Sequence, residues 1–467
     1  MAFIGREKET LLMQQALEQE QATVLLYGKR KVGKTTLIKE CLKNQPKQFI
    51  YFECLKGTMA ENITAFVSEL VRLQILPVAM SFQSFLDVFT YLSSVGKPLI
   101  VVIDEYPYLK AATKAEFVDS MVQSIIDNRL QNLRLILSGS HIGMMKEMLE
   151  EGNALYGRFK AVIHLKELPY HIASGFYPDL NTYDKVGFYS VFGGSPYILG
   201  QLNSRESLRE NIIRTILNEN SPVFLYASNL LLSDYSNTMN TERIFSALGN
   251  GKKRYSELED RLDGNKTGNL SKQLSKLIAL DIIHRNMPFN HPNDAKKATY
   301  EINDNLMRFY FTYVYRNRSA LQMLGAASFF DEYVAPSLVE FISRRFEEIC
   351  RMYFSMKAKI GDLPGVKNIG SYYYDNPKER TNGEFDVALE YDDAIAIYEA
   401  KYLKQPMELD EIHHEINQIE QIPSLTVCRI GFISVNGFAE KEDGYSYLTG
   451  EDLFAVDHSN HSTHQND

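Results

Sequence analysis

Cysteine is scarce in this 467-residue chain: Cys41, Cys54, Cys350 and Cys428 stand far apart, with no CxxC pair among them. That spacing excludes a cysteine-built zinc site and a disulfide framework, and it fits a reduced compartment. Long apolar runs are missing too. The best of them, "PLIVVI" (98–103), is far shorter than the roughly 20 residues that a membrane-spanning helix needs. The opening "MAFIGREKETLL" is charged almost at once and lacks a signal-peptide core, so the expectation is a cytoplasmic protein without a membrane partner. Positive charge is also short. A net charge of -9 and a pI near 5.7 exclude a chain-wide basic surface and leave only local patches for nucleic acid. The polar, histidine-rich end "DHSNHSTHQND" (457–467) cannot bury a core and is expected to be a disordered tail.

What the chain does have is apolar mass, 45% of its residues, enough for several cores in three or four domains. Its first informative stretch is "TVLLYGKRKVGKTTLIKECL" (23–42). A β-type run passes through Gly28 and Gly33 and becomes helical from Thr35, which satisfies G-x-x-x-x-G-K-[ST] in a strand, loop, helix context. Glycines let backbone N–H groups wrap phosphates, and the helix N-terminus adds its dipole. Lys34 is expected to reach the β and γ phosphates and Thr35 to offer its hydroxyl to Mg²⁺, with Thr36 beside them. ATP and Mg²⁺ are the implied ligands.

The run "KPLIVVIDEYPYL" reads as a buried parallel strand whose carboxyl end meets the ligand crevice. Asp104 there is placed to hold Mg²⁺ through its water shell, and Glu105 to orient or deprotonate the attacking water. A third apolar strand, "LRLILSGS", ends at Ser140, which can sense the γ phosphate or simply cap a helix. Arg158, in "EGNALYGRFKAVIHLKEL", stands before a further strand. It can stabilise transition-state charge, in its own site or a neighbouring subunit's, or only pair on the surface.

These residues resemble the AAA-type ATPases, and most of all an archaeal and bacterial ATPase family related to origin-recognition initiators and STAND signalling ATPases. Asp104-Glu105, Ser140 and Arg158 fall in the order of Walker B, sensor 1 and arginine finger. In "FIGREKETLL", the backbone around Ile4, Gly5 and Arg6 is similar to the segment lining the adenine pocket, and "GGSPYIL" (193–199) is similar to an element of the helical lid. The resemblance covers roughly the first 230 residues and implies ATP hydrolysis and a homo-oligomer.

From Thr241 the pattern changes to short amphipathic helices, "ERIFSALGN", "SELEDRL" and "TGNLSKQLSKLIALDII", followed by strand-like "IIHRN" and "ATYEI" around the turn "FNHPND". That order predicts a winged helix-turn-helix. Its third helix turns Ser271, Lys272, Gln273 and Lys276 outward, suited to phosphates or base edges of DNA. Eight Lys or Arg against five Asp or Glu between Lys252 and Arg285 make the edge mildly basic. The other use of such a module is as a packing or dimerisation wedge. The aromatic stretch "YEINDNLMRFYFTYVYRNR" (300–318) is expected to pack as core rather than to stack bases.

Further on, "EFDVALEYDDAIAIYEAK" (384–401) reads as two strands around an acidic turn, a register that sets Asp386 opposite Glu399. Carboxylates so placed, roughly 4.5–5.5 Å apart at Cβ, repel and want a cation. Glu399 and Lys401 share a face, so the patch suits Mg²⁺ or Mn²⁺, or else Lys401 neutralises Glu399 on a wet sheet. D-x12-E-x-K resembles the PD-(D/E)xK nuclease core. The resemblance implies Asp386 and Glu399 as metal ligands and Lys401 as the catalytic lysine, with Glu347 or its neighbour Glu348 on an upstream helix and Gln418 on the following one. A Gly-Glu-Phe run (383–385) replaces the family's proline before Asp386.

The expected architecture is α/β and multidomain. It comprises a P-loop ATPase core (1–166), helical lid (167–238), winged helix (239–303), helical linker (304–335) and restriction-endonuclease-like domain (336–456). The expected function is a DNA-associated ATPase with a metal-dependent nuclease domain, or an ATP-controlled switch whose C-terminal domain only docks.

Overall fold

The strand predicted before the glycine loop is one of five in a sheet whose three central strands are buried along their whole length. β1 (Thr23–Tyr27), β2 (Gln48–Glu53), β3 (Leu99–Asp104), β4 (Leu133–Gly139) and β5 (Ala161–His164) form one sheet in the order β2-β3-β4-β1-β5, every pair parallel. Parallel strands need helices on both faces, and successive side chains alternate between them. Leu25, Val101 and Leu135 enter one core with Phe66, Phe85 and Phe89; Val24, Leu26, Val102 and Ile136 enter the other with Leu37 and Ile38. This computed structural model describes residues 3–43, 45–78, 80–234, 241–249, 251–262, 269–376, 381–420, 422 and 425–455. The tail expected at 457–467 lies outside them.

The chain divides into two units, Met1–Leu168 with Ser195–Tyr197, and Pro169–Gly194 with Ile198–Asp467. In the first, β1, β3 and β4 deliver the glycine loop, Asp104 and Ser140 to one edge of the sheet. Gly28 is required by space: a Cβ there would stand 2.1 Å from the Leu165 carbonyl oxygen. Gly33 is required by conformation, with φ +99°.

Within the second unit, the helices Thr241–Leu248, Tyr255–Arg261 and Asn269–Ala279 share a small antiparallel sheet: β6 (Lys253–Arg254) lies between the first and second helices, β7 (Ile283–Asn286) and β8 (Thr299–Ile302) follow the third, and the order is β6-β8-β7. The aromatic stretch is core: Phe309, Tyr310, Phe311 and Tyr313 are buried, and residues Tyr310–Val314 form a π-helical turn.

A second five-stranded sheet holds β9 (Asn368–Asn376), β10 (Thr381–Glu390), β11 (Ile395–Lys401), β12 (Val427–Ser434) and β13 (Ser446–Thr449), in the order β13-β12-β11-β10-β9. The acidic turn closes with the Tyr391 N–H donating to the Ala394 carbonyl at 2.9 Å. It sets the pairs Glu390/Ile395, Leu389/Ala396, Ala388/Ile397 and Val387/Tyr398, the register that the turn residues imply. The 25-residue helix Ala335–Lys359 packs on this sheet, with the Phe354 ring centroid 4.5 Å from that of Tyr398 on β11, and it buries Ile342, Phe346, Ile349 and Tyr353, spaced as one helical face. Along β11 the first four residues are buried and Glu399 to Lys401 are half-buried, so the strand leads from core to surface at the carboxylates. No helix among the described residues is long and apolar enough to cross a membrane, and all four cysteines are free.

Candidate functional site

In the first unit, Lys34 is buried, and its ammonium donates to the Gly28 and Lys29 carbonyls, both at 3.0 Å, and to Ser140 Oγ at 2.8 Å. Ser140 Oγ in turn donates to Glu105 Oε1 at 2.6 Å. Thr35 Oγ1 donates to Asp104 Oδ2 at 2.9 Å, and the Glu105 N–H donates to Asp104 Oδ1 at 3.0 Å. Five residues from three strand ends thus form one hydrogen-bonded chain. Thr36 is exposed on the first turn of the helix. The pair of a hydroxyl and a carboxylate within hydrogen-bond reach is an oxygen donor set of the kind that Mg²⁺ takes beside substrate phosphates, so Thr35 and Asp104 fit that ion.

Glu105 has φ +52°, a left-handed conformation that non-glycine residues rarely adopt. Its neighbours hold it there: the Asp104 carboxylate takes its N–H, and the Tyr106 N–H donates to the Ser138 carbonyl at 2.8 Å. Such strain, of order 1–3 kcal/mol, persists where the surroundings over-determine it, often at active sites. Here it aims the carboxylate at Ser140. Tyr51, on neighbouring β2, donates its hydroxyl to Asp104. Burial first, and then the Asp104 charge, push the Tyr51 phenol well above its usual range, so it stays a donor.

Gly5 takes φ +66°, and the buried Arg6 guanidinium donates to the Val32 carbonyl at 3.2 Å and the Lys166 carbonyl at 2.6 Å. Arg6 therefore ties the phosphate loop to the segment after β5 through its side chain, and Ile4 is half-buried beside it. From "GGSPYIL", Ser195 Oγ donates to the Lys31 carbonyl at 3.1 Å, and Lys31 Nζ lies 4.4 Å from the Tyr197 ring centroid. Arg158 forks onto Asp127, with Nε–Oδ1 and Nη2–Oδ2 both 3.0 Å, at the surface.

In the second unit, Leu274 and Leu277 of the helix Asn269–Ala279 are buried while Ser271, Lys272 and Lys276 are exposed and Gln273 is half-buried. At the second sheet each of the two expected carboxylates is paired with a different lysine. Asp386 lies just beyond the last β10–β11 pair, where the pairing with β9 is irregular between Phe385 and Ala388. Its Oδ1 is 2.9 Å from Lys252 Nζ, and its carbonyl accepts from Arg351 Nη1 at 2.6 Å. Glu399 Oε1 is 3.0 Å from Lys401 Nζ, which also reaches Glu415 Oε1 at 2.9 Å. The expected metal pair is therefore resolved into two lysine-bound carboxylates. Among the described residues no three His, Cys, Asp or Glu gather into a metal-holding group.

Electrostatics separate the flanking acids. Burial and then the Asp386 charge push the Glu347 carboxyl up to about 8, against the pull of Lys252 and Arg351. Glu348 instead accepts from Arg308 at 2.8 Å, so of the two adjacent glutamates Glu347 faces the patch. Burial also raises Glu399, against the pull of Lys401. For Lys252, burial opposes the charge but Asp386 and Glu347 outweigh it, and its pKa is raised. Gln418 is on the surface, 2.7 Å from His414 Nε2. One turn earlier, Glu415 reaches the patch. The sequence reading missed Glu415, Arg351 and Lys252. Helical spacing from Gln418 could have found the first and spacing from Glu347 the second, but no local signal marks Lys252.

Residues 3–202 match the family model of an ATPase domain predominantly from Archaea, and residues 310–414 match archaeal and bacterial proteins of unknown function. An uncharacterized protein of Methanocaldococcus jannaschii is 26% identical over 367 residues, 78% of this chain and 79% of that protein. Among solved structures, a Walker-type ATPase of Pyrococcus abyssi aligns at a TM-score of 0.51 and 20% identity, over 66% of this chain and 96% of its own; this is a likeness of fold. The ORC2 protein of Aeropyrum pernix aligns at 0.43 and 13% identity, over 68% and 94%.

Proposed function

The chain carries an ATPase domain of the kind found predominantly in Archaea, and from that premise we propose a DNA-associated ATPase with a restriction-endonuclease-like C-terminal domain. The observation that carries the ATPase part is the hydrogen-bonded chain Lys34–Ser140–Glu105 with Thr35–Asp104 beside it. Lys34 binds the β and γ phosphates, Ser140 senses the γ phosphate, and Glu105 orients the water that attacks it. Mg²⁺, when bound with the nucleotide, neutralises phosphate charge, and Thr35 and Asp104 are its protein-side oxygens. Arg158 enters a nucleotide site only by exchanging Asp127 for phosphate, so no step is assigned to it.

DNA association rests on the helix Asn269–Ala279, whose exposed Lys272 and Lys276 stand on the face opposite buried Leu274 and Leu277. Three helices, with a short strand after the first and an antiparallel strand pair after the third, support the winged-helix reading. Replacing both lysines by Ala is expected to weaken duplex binding and to reduce the slope of log affinity against log salt by up to about 2, since each phosphate contact contributes about 0.9. Fluorescence anisotropy across a salt series measures this. An unchanged slope would mean that the helix serves as a packing wedge.

For the C-terminal domain we read Asp386, Glu399 and Lys401 as a nuclease-type centre. With Mg²⁺ or Mn²⁺, the full chain is expected to nick plasmid DNA, and Asp386→Asn to abolish nicking. Equal cleavage by both proteins would assign it to a contaminant. The second reading, an ATP-controlled switch with a docking domain, is favoured by one observation: Lys252 and Lys401 already neutralise both carboxylates. Absence of cleavage by either protein would support it.

A further inference from the structure

Lys252 does not belong to the sheet whose aspartate it binds. It precedes β6 in the small helical module and lies 134 residues from Asp386 in the chain. Its position is set by its own module. Gly251, with φ +95°, turns the backbone into β6, where Lys253 pairs with Tyr300 and Arg254 with Thr299. The side chain then reaches Asp386 Oδ1 at 2.9 Å, with Glu347 adding attraction and Arg351 repulsion. Lys401 differs: it is two residues from Glu399 on the same strand and bridges Glu399 and Glu415, so its place is set within its own sheet and the helix beside it.

We propose that Lys252 is a built-in competitor of a divalent cation at Asp386: its ammonium takes the carboxylate, and the 251–254 segment has to withdraw before the cation binds. The inference rests on the reading of Asp386 and Glu399 as a cation site. A carboxylate oxygen takes Mg²⁺ at about 2.0–2.1 Å, inside the position of an ammonium at hydrogen-bond distance, so both cannot use Oδ1 without close like-charge repulsion. The barrier to cation entry is then carried by an element outside the sheet, and whatever moves the helical module sets the occupancy of Asp386.

The test is Mn²⁺ binding by the full-length, nucleotide-free protein, measured by electron paramagnetic resonance of free Mn²⁺ and by the Mn²⁺-dependent rise of the thermal midpoint. Lys252→Met is expected to bind Mn²⁺ about tenfold or more tightly than wild type, the ratio that loss of one competing ion pair of about 1.4 kcal/mol produces. Lys252→Arg keeps the charge and is expected to behave as wild type. The gain is expected to vanish in the double variant Lys252→Met/Asp386→Asn. If Lys252→Met unfolds because Asp386 is left unpaired, Lys252→Gln, which can still donate to Asp386, makes the same measurement. Equal affinity in wild type and the neutral variants, lost on Asp386→Asn, would overturn the competitor role while leaving the cation site standing. Binding by none of the proteins would remove both.

Discussion

Glu105→Gln is expected to bind ATP as wild type does and to hydrolyse it about 10²–10⁴-fold more slowly, the usual range for loss of a positioned base. The amide keeps the size of the carboxyl, and its oxygen can still accept from Ser140 Oγ, so the left-handed turn at residue 105 is retained. What is lost is the charge that orients and polarises the attacking water. Single-turnover hydrolysis measured beside equilibrium binding of a labelled ATP separates the two effects. A variant that hydrolyses at the wild-type rate would remove Glu105 from the mechanism. One that fails to bind would show that the carboxylate is structural.

Lys34→Ala is expected to abolish ATP binding, and with it hydrolysis. The buried ammonium has three acceptors, the Gly28 and Lys29 carbonyls and Ser140 Oγ. Its removal takes away the only lysine charge in that chain and leaves loop carbonyls without their donor, a cost of about 1–3 kcal/mol for each group shut off from water. Loss of loop order and loss of phosphate attraction are distinguished by two thermal midpoints. Without nucleotide the variant is expected to unfold earlier than wild type by the cost of those unpaired carbonyls. With ATP at about 100 times the wild-type dissociation constant, the wild type gains about 2.7 kcal/mol of stability and the variant gains none. An unchanged ATP-dependent shift in Lys34→Ala would sink the phosphate-loop assignment.

Both predictions concern residues that were legible in the sequence, and the reason is geometric. A phosphate loop is contiguous: Gly28, Gly33, Lys34 and Thr35 occupy one turn between a strand and a helix, so their order along the chain is nearly their order in space. Asp104 and Ser140 are not contiguous with it. They were legible because a buried parallel strand advertises itself as an unbroken apolar run and ends at the ligand edge. The hairpin register was legible for a similar reason, since a tight turn dictates which residues face each other across it.

The C-terminal patch shows where this stops. Period and turn chemistry place Asp386, Glu399 and Lys401 on one face and leave two cations open for Glu399, yet they say nothing of what Asp386 meets. That depends on the helix Ala335–Lys359, which brings Arg351 and selects Glu347 over Glu348, and on the helix Leu409–Glu420, which offers Glu415 rather than Gln418. It depends most on Lys252, which arrives from another sheet. Arg6 is a parallel case in the first unit: its guanidinium donates to the Val32 carbonyl and to the Lys166 carbonyl, the latter 160 residues along the chain.

Local order along the chain was therefore enough to define a nucleotide-binding edge, the strand pairs of the hairpin and the exposed face of the helix Asn269–Ala279, because each is set by neighbours within a few residues and by solvent. The partners of Asp386 were settled by folding alone, whereas Lys401 beside Glu399 was one of the two readings that spacing left open. Long-range ion pairs form where packed elements happen to bring opposite charges within about 3 Å, and backbone periodicity reports which way a side chain faces without reporting what comes to meet it.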